Sequence, residues 1–308
     1  MSNVVTMPAP AKREDRERDP VLAGREIWIE ASDGYQLAAL VYGPDNAPAA
    51  AVQINGATGV PKEYYRAFAE WLASRGYLVA TFDYRGMGKS LHVDIRDFKG
   101  EIGDWGAKDA TGVTAWLDGK VLSTTPIYCI GHSMGGQAIG LQPNINRFTA
   151  FAGIAAQTGH WRFWPTPKQR LRMLFRWYVL LPGIAKIFGY APKKYSGMED
   201  MPASLALTWS RWGRNRHYIS DPRGRPIREH FHSYRKPALF VGFSDDRAGP
   251  ATAIDELATF YANAAVTRRT ISPGDYGLDQ IGHFGFFKRA MPKALWSDLL
   301  DWLTAQRR

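Results

Sequence analysis

The sequence contains a single cysteine, Cys129, which excludes a disulfide bond within the chain. It also lacks any apolar run near the roughly 18 residues that a membrane-spanning helix needs. Residues 1–20 have no apolar segment of the kind found in secretory signal peptides. These absences predict a cytoplasmic protein. Residues 1–22 carry charges of both signs and are predicted to form a disordered arm.

Acidic residues are scarce in one segment. Residues 157–236 contain sixteen Lys and Arg against four Asp and Glu, in a chain of net charge +10. Such a segment is typical of a solvated surface, of a site that attracts an anionic substrate, or of a surface that meets an anionic membrane. If it attracts substrate, we expect Arg211, Arg214 and Arg216 to contribute. Nucleic-acid binding is not favoured, because no nucleic-acid module is recognisable around these arginines.

Strand and helix patterns alternate along most of the chain, which has globular values of 45% apolar and 22% charged residues. Alternation of this kind predicts an α/β fold with a mostly parallel sheet covered by helices on both faces. An antiparallel hairpin is predicted first, over residues 25–30 and 36–42. The later strands are predicted at 50–54, 78–82, 127–130, 149–156, 238–243 and 266–271, and the helices at 63–75, 105–117, 134–141, 251–261 and 294–305.

The alternation is interrupted by residues 157–236, which carry five tryptophans and many prolines. A crossover between parallel strands needs a dozen or so residues, so this segment is an insertion between two parts of a core, 23–156 and 237–308. It leaves the sheet at the strand end where ligands bind in open α/β folds. We therefore predict a basic, Trp-rich cap over the active site; the alternative is a surface subdomain with no part in the site.

The motif Gly131-His132-Ser133-Met134-Gly135-Gly136 follows an apolar strand and precedes a helical segment. This context predicts a nucleophile elbow, in which a strained turn raises the serine Oγ above the sheet. The strand and helix nearly touch there, so the positions two before and two after Ser133 have little room for a Cβ. The alternative is a Gly-rich turn with an incidental serine.

A serine hydroxyl becomes an effective nucleophile when a base and an orienting acid lie beside it. In chain order the candidates are Ser133, then Asp245 or Asp246 after a strand, then His283 in a late loop. His132 is interpreted as a packing residue. His230 and His232 have no further ligand at metal-binding spacing, so neither a metal site nor a cofactor is predicted.

Acyl transfer also requires N–H donors for the oxyanion. The backbone N–H of Met134 is one candidate, because it begins the helix after the nucleophile. The other is Ala57, in a Gly-flanked loop after the strand that ends at Ile54.

The run Asp83-Tyr84-Arg85-Gly86-Met87-Gly88-Lys89-Ser90 resembles the D-x-R-G-x-G-x-S stretch of lipase and esterase branches of the α/β-hydrolase superfamily. From about residue 25 onward the chain is similar to monoacylglycerol-lipase-like and serine-aminopeptidase-like members, and to uncharacterised bacterial hydrolases that share the terminal Gly-His-Phe-Gly-Phe-Phe. The resemblance implies an eight-stranded sheet, a cap after the sixth strand and a Ser-Asp-His triad. The chain departs from many relatives at Asn55, where they carry histidine. A P-loop is excluded, because Asp83 stands where its first glycine would be.

The resemblance also bears on which aspartate is the acid. The segment from Pro237 to Pro250 matches the family's strand and loop in length, and the acid four residues before the closing proline is Asp246. A count from Gly242 selects Asp245 instead. We favour Asp246, because the first alignment fits both ends of the segment without a gap.

Three functions remain open at this point. The first is a serine hydrolase that cleaves a carboxylic ester, or a thioester or amide, through acyl-Ser133. The second is an acyltransferase that uses the same acyl-enzyme, and the third is a non-catalytic binding protein on a hydrolase scaffold. The expected partner is a small acyl substrate, anionic if the basic cap recruits it. The sequence gives no oligomeric state, and membrane contact is open but not favoured.

Overall fold

The computed structural model describes residues 23–307, so the predicted arm over residues 1–22 lies outside the described part of the chain. Eight strands form the central sheet: β1 (Arg25–Glu30), β2 (Gln36–Tyr42), β3 (Ala50–Asn55), β4 (Tyr77–Phe82), β5 (Ile127–His132), β6 (Ala150–Ile154), β9 (Pro237–Phe243) and β10 (Ala265–Ile271). Two short strands, β7 (Tyr190–Ala191) and β8 (Met201–Pro202), pair with each other in the insertion.

The strand order in the sheet is β1-β2-β4-β3-β5-β6-β9-β10. Strand β2 runs antiparallel to both of its neighbours, and every other pairing is parallel. The central strands β3, β4, β5 and β6 are buried along their whole length, as expected for parallel strands covered on both faces. The predicted α/β fold with a mostly parallel eight-stranded sheet is therefore confirmed.

The helices flank the sheet or lie in the insertion. Their bounds are α1 (Arg66–Ala73), α2 (Thr111–Asp118), α3 (Met134–Ile139), α4 (Pro167–Phe175), α5 (Leu181–Phe188), α6 (Lys193–Ser196), α7 (Ala203–Arg214), α8 (Glu229–Ser233), α9 (Ala251–Thr259) and α10 (Lys293–Thr304). None of the helices in residues 23–307 has the length and apolar character needed to cross a membrane.

Two predicted helices begin in a different form from the one expected. The helix predicted at 105–117 opens as a π-helical turn, Trp105–Ala110, before α2. The helix predicted at 63–75 opens as a 3₁₀ turn, Lys62–Tyr65, before α1. Hydrophobic spacing reports the buried face of a helix but not its hydrogen-bonding pattern, so these turns were not predictable from periodicity.

The insertion at residues 157–236 packs onto the core through a continuous apolar cluster. Trp177, Leu205 and Trp212 are buried in the same cluster as Trp105 and Phe151 of the core. The insertion is thus held by shared hydrophobic packing, which fixes its position relative to the carboxyl ends of the sheet strands.

The 83–90 stretch is a structural loop after β4. The Arg85 guanidinium donates to the buried Asp109 carboxylate at 2.6 Å and fixes the loop to the turn before α2. Lys89 lies at the surface, where its Nζ is 2.6 Å from Glu26. An outward lysine paired with a carboxylate is not part of a phosphate cradle.

Candidate active site

Ser133 stands at a strained turn between β5 and α3. Its backbone has φ 52° and ψ −114°, a conformation that a non-glycine residue adopts only when its surroundings enforce it. A Cβ at Gly131 would lie 2.5 Å from the Gly136 Cα, and one at Gly135 would lie 2.0 Å from the Asn55 carbonyl oxygen. The glycines therefore let strand and helix approach closely enough to hold the turn, as the motif predicts.

Three of the predicted site residues lie within hydrogen-bond distance of one another. The His283 Nε2 is 3.0 Å from the Ser133 Oγ, and the His283 Nδ1 is 2.7 Å from the Asp246 Oδ2. Asp246 follows Ser133 by 113 positions, and His283 follows Asp246 by 37. Ser133 and Asp246 lie just after β5 and β9, and the carboxyl ends of these strands bring them to the same edge of the sheet. The arrangement gives the serine hydroxyl an acceptor and gives the imidazole a carboxylate at its far nitrogen.

Asp246 is held as a carboxylate by its own loop. Its Oδ1 accepts the backbone N–H groups of Ala248 at 2.7 Å and Gly249 at 2.9 Å. Burial acts to raise the pKa of Asp246, but the hydrogen bond and charge of His283 and these N–H groups together lower it below its usual value. A Cβ at Gly249 would lie 2.7 Å from the Asp246 Oδ2, so only glycine leaves this contact undisturbed.

The neighbouring Asp245 has a different role, which sequence reasoning missed. Its Oδ2 accepts the N–H groups of Ile281 and Gly282, each at 2.9 Å, and so anchors the residues just before His283. The turn it stabilises contains Gly282 at φ +59°, a left-handed conformation that favours glycine. Adjacent aspartates therefore position one histidine in two ways: Asp246 contacts its ring, and Asp245 holds the two residues that precede it.

His132 is buried and packs beneath His283. Its Nε2 lies 2.8 Å from the His283 carbonyl oxygen, which can only accept, so this nitrogen carries the proton. Burial, with a smaller effect of the nearby His283, lowers the pKa of His132 to about 3 and keeps the ring neutral. The Nδ1 must then accept, and the Tyr65 hydroxyl donates to it at 3.0 Å. His132 thus positions the loop of His283, which refines its interpretation as a packing residue.

The predicted oxyanion donors differ in their surroundings. Met134 is the first residue of α3, and the amides of the first helical turn have no acceptor within the helix. The Ala57 N–H does not stand free as expected, because it donates to the Tyr65 hydroxyl at 2.7 Å. This hydrogen bond was not expected because Tyr65 lies outside the Ala57 loop in sequence. Its ring is buried beside that loop in the fold.

A cavity of about 660 Å³ opens over Ser133 and His283. Ala57 also lines it, and most of its wall comes from the insertion. The aromatic and methionine side chains that line the cavity are Trp164, Met173, Trp177, Met198, Trp209, Tyr218 and Phe284. His160, which follows β6, is not among the residues that line the cavity.

The comparison with known proteins agrees with this architecture. The model of a family described as the alpha/beta hydrolase family matches residues 54–296. The chain belongs to the alpha/beta hydrolase family. The matched span includes Ser133, Asp246 and His283 as well as the insertion. No curated protein matches the sequence.

Solved structures of similar fold include three that cover nearly the whole chain of this alpha/beta hydrolase. A soluble variant of monoglyceride lipase from Saccharomyces cerevisiae has a TM-score of 0.63 at 15% identity, with 97% of this chain and 98% of that chain covered. A hypothetical protein from Pseudomonas aeruginosa gives 0.61 at 17%, covering 98% and 100%. A thermophilic esterase from Thermogutta terrifontis gives 0.58 at 16%, covering 92% and 100%. At these identities the likeness shows the fold alone.

The arginines singled out in the basic segment do not reach the cavity. Arg211 lies 3.2 Å from the Glu101 carboxylate, and the Arg214 guanidinium lies over the Tyr178 ring at 5.6 Å. Arg216 contacts His217 at the surface. The expectation that these three residues attract a substrate into this hydrolase's cleft therefore has no support in the geometry.

We expect Tyr65→Phe to lower the free energy of unfolding by roughly 1–3 kcal/mol, because it leaves the buried His132 Nδ1 without a donor and the Ala57 N–H without its acceptor. Chemical denaturation of the purified variant measures the change. Tyr178→Phe is the matched control: Tyr178 is about half exposed, and we expect a change within about 0.5 kcal/mol. Equal stability of the Tyr65 variant and the wild type would contradict the hydrogen-bond chain described here.

Proposed function

We propose that this protein is a serine hydrolase that cleaves carboxylic esters through an acyl-Ser133 intermediate. The observation that carries the proposal is the continuous contact from the Ser133 Oγ through His283 to Asp246, with distances of 3.0 and 2.7 Å. Membership of the alpha/beta hydrolase family and similarity to an esterase and a lipase support the same reaction class.

In the acylation step, the Ser133 hydroxyl attacks the ester carbonyl while its proton moves to the His283 Nε2. The Nδ1–H donated to Asp246 keeps the neutral ring in the tautomer that can accept at Nε2. The same carboxylate stabilises the imidazolium that forms. The imidazolium then protonates the departing alcohol oxygen, which leaves the acyl group on Ser133.

In the deacylation step, a water molecule takes the place of the alcohol. His283 accepts its proton as the oxygen attacks the acyl carbonyl, and the proton returns to the Ser133 Oγ as the acid product leaves. The base must occupy the same position in both steps. Asp245 and His132 form hydrogen bonds with the backbone of residues 281–283, and these bonds support a fixed position of His283 in both steps.

The negative charge on the substrate oxygen is proposed to be bound by the Met134 and Ala57 N–H groups. The Ala57 N–H can take part when it exchanges the Tyr65 hydroxyl for the oxyanion, a stronger acceptor because it is charged. The Tyr65 oxygen keeps its own donated hydrogen bond to His132 during this exchange. The structure of the resting site thus supports two donors, one of which is occupied until substrate binds.

Incubation with p-nitrophenyl esters of graded chain length, followed by labelling with a fluorophosphonate, tests the proposal. We expect ester hydrolysis and a single covalent adduct that peptide mass spectrometry locates on Ser133. Prior incubation with an ester substrate should slow labelling, because both reagents use the same nucleophile. An absence of both turnover and labelling in the folded protein would contradict the proposal.

A further inference from the structure

Among residues 23–307, four cationic side chains and no carboxylate line the cavity over Ser133. Lys168, Arg172 and Arg247 are exposed, whereas Arg176 is partly buried. A cavity with charge of one sign attracts ligands of the opposite sign. Arg176 is thus the least exposed of the four cations and the one best placed to contact a ligand inside the cavity.

Arg176 is a partly buried cation without an ionic partner among the described residues. Within residues 23–307 no Asp or Glu carboxylate forms an ion pair with its guanidinium. A buried charge is costly unless it is paired, and burial accordingly lowers the pKa of Arg176 from its usual value. An unpaired cation of this kind in a cavity is a candidate site for a ligand of opposite charge.

The protein contacts of Arg176 leave its hydrogen-bonding capacity largely unused. One terminal nitrogen lies 3.3 Å from the Met198 sulfur, a weak acceptor. The guanidinium also lies 5.5 Å from the centre of the Trp177 ring and 5.3 Å from that of Trp209. These rings hold the planar group by cation–π attraction but offer it no acceptor. Several of its five N–H donors are thus available at the cavity wall.

We propose that Arg176 binds a carboxylate carried by the substrate, so that the preferred substrates are esters with a free carboxylate at one end. This inference rests on the proposed ester hydrolysis and names its substrate class. The planar fork of a guanidinium matches a carboxylate through two parallel N–H···O bonds. The apolar side chains that line the cavity suit the methylene chain that would join the two ends of such a molecule.

The first test compares two esters that differ in one charge: mono-p-nitrophenyl glutarate and its methyl-capped diester. We expect the wild type to favour the anionic ester in kcat/KM, and Arg176→Gln to reduce this preference by roughly 10- to 100-fold, the effect of losing a hydrogen-bonded charge pair. Arg176→Lys keeps the positive charge but lacks the planar guanidinium, so its preference for the anionic ester should lie between those of the wild type and Arg176→Gln. Arg216→Gln, an exposed change in the same insertion, should leave the preference unaltered.

The salt dependence of the preference for the anionic ester distinguishes a carboxylate bound at Arg176 from long-range attraction by the exposed cations. A contact inside the cavity is weakly screened, so the preference should persist at 0.5 M NaCl, where the Debye length is on the order of 4 Å. A preference that disappears at this salt concentration, or that survives Arg176→Gln, would overturn the proposal. A purely structural clamp between Trp177 and Trp209 would change stability in Arg176→Gln but not the ratio for the two esters.

A binding measurement separates this inference from the proposed hydrolysis. Glutarate should bind Ser133→Ala, detected by calorimetry, and Arg176→Gln in that background should weaken binding at least tenfold. Arg176-dependent binding without turnover of either ester by the wild type would refute the hydrolase proposal and support the carboxylate site. Equal turnover of both esters with no glutarate binding would support the hydrolase proposal and refute the carboxylate site.

Discussion

Replacement of Ser133 by alanine is expected to lower ester turnover by roughly 10⁴- to 10⁶-fold, because it removes the hydroxyl proposed to form the acyl-enzyme. Fluorophosphonate labelling should disappear with it. Alanine fits the tight turn without new contacts, so the free energy of unfolding should stay within about 0.5 kcal/mol of the wild type. Initial rates, gel labelling and chemical denaturation measure the three quantities.

Ser123→Ala provides the matched control, because Ser123 is exposed and does not line the cavity. Its turnover and labelling should equal those of the wild type. Persistent labelling of the Ser133 variant would show that another residue is the nucleophile, and the proposed mechanism would then be wrong.

Asp246→Asn is expected to reduce turnover by roughly 10⁴-fold. The Asp246 Oδ1 accepts two backbone N–H groups, so an asparagine would keep its oxygen there and turn its NH₂ toward His283. The ring would have to accept at Nδ1, which moves its proton to Nε2 and removes the acceptor for Ser133. The kcat of the purified variant measures this loss of the correct tautomer.

Asp245→Asn is the matched comparison at the adjacent position. Only the Oδ2 of Asp245 is used, and its Oδ1 is buried without a hydrogen-bond partner in the described chain. An asparagine can therefore keep its oxygen on the N–H groups of Ile281 and Gly282 and place its NH₂ where no donor opposes it. We expect less than about a tenfold loss of turnover; a severe loss here with a mild one at Asp246 would reverse the roles assigned.

The strained turn at Ser133 and the sheet are predictable because their signals are local. The glycines around Ser133 and the alternating apolar segments reflect constraints between residues close in sequence, and the eight strands appear where the patterns predict them. The choice of Asp246 over Asp245 came from the length of one loop, and the structure brings Asp246 to the His283 ring.

Features that depend on distant parts of the chain escaped prediction. The Ala57 N–H is occupied by Tyr65, and Asp245 acts on a loop that lies 36 residues away. Net charge identified the basic segment but not which cation faces the cavity, because helix packing in the insertion turns Arg176 inward and leaves Arg216 outside. Composition gives the charge of a segment, whereas tertiary packing decides where that charge acts.

The division between core and insertion has a consequence for how such a protein changes over time. The residues proposed to contact the reacting atoms lie in the core, whereas most of the cavity wall belongs to residues 157–236. Substitutions in the insertion can therefore alter which molecule fits while the reacting groups keep their geometry. Under the proposed function, the residues that select the substrate and those that carry out the reaction come mostly from separate stretches of the gene, so that the first can vary under selection while the second are kept.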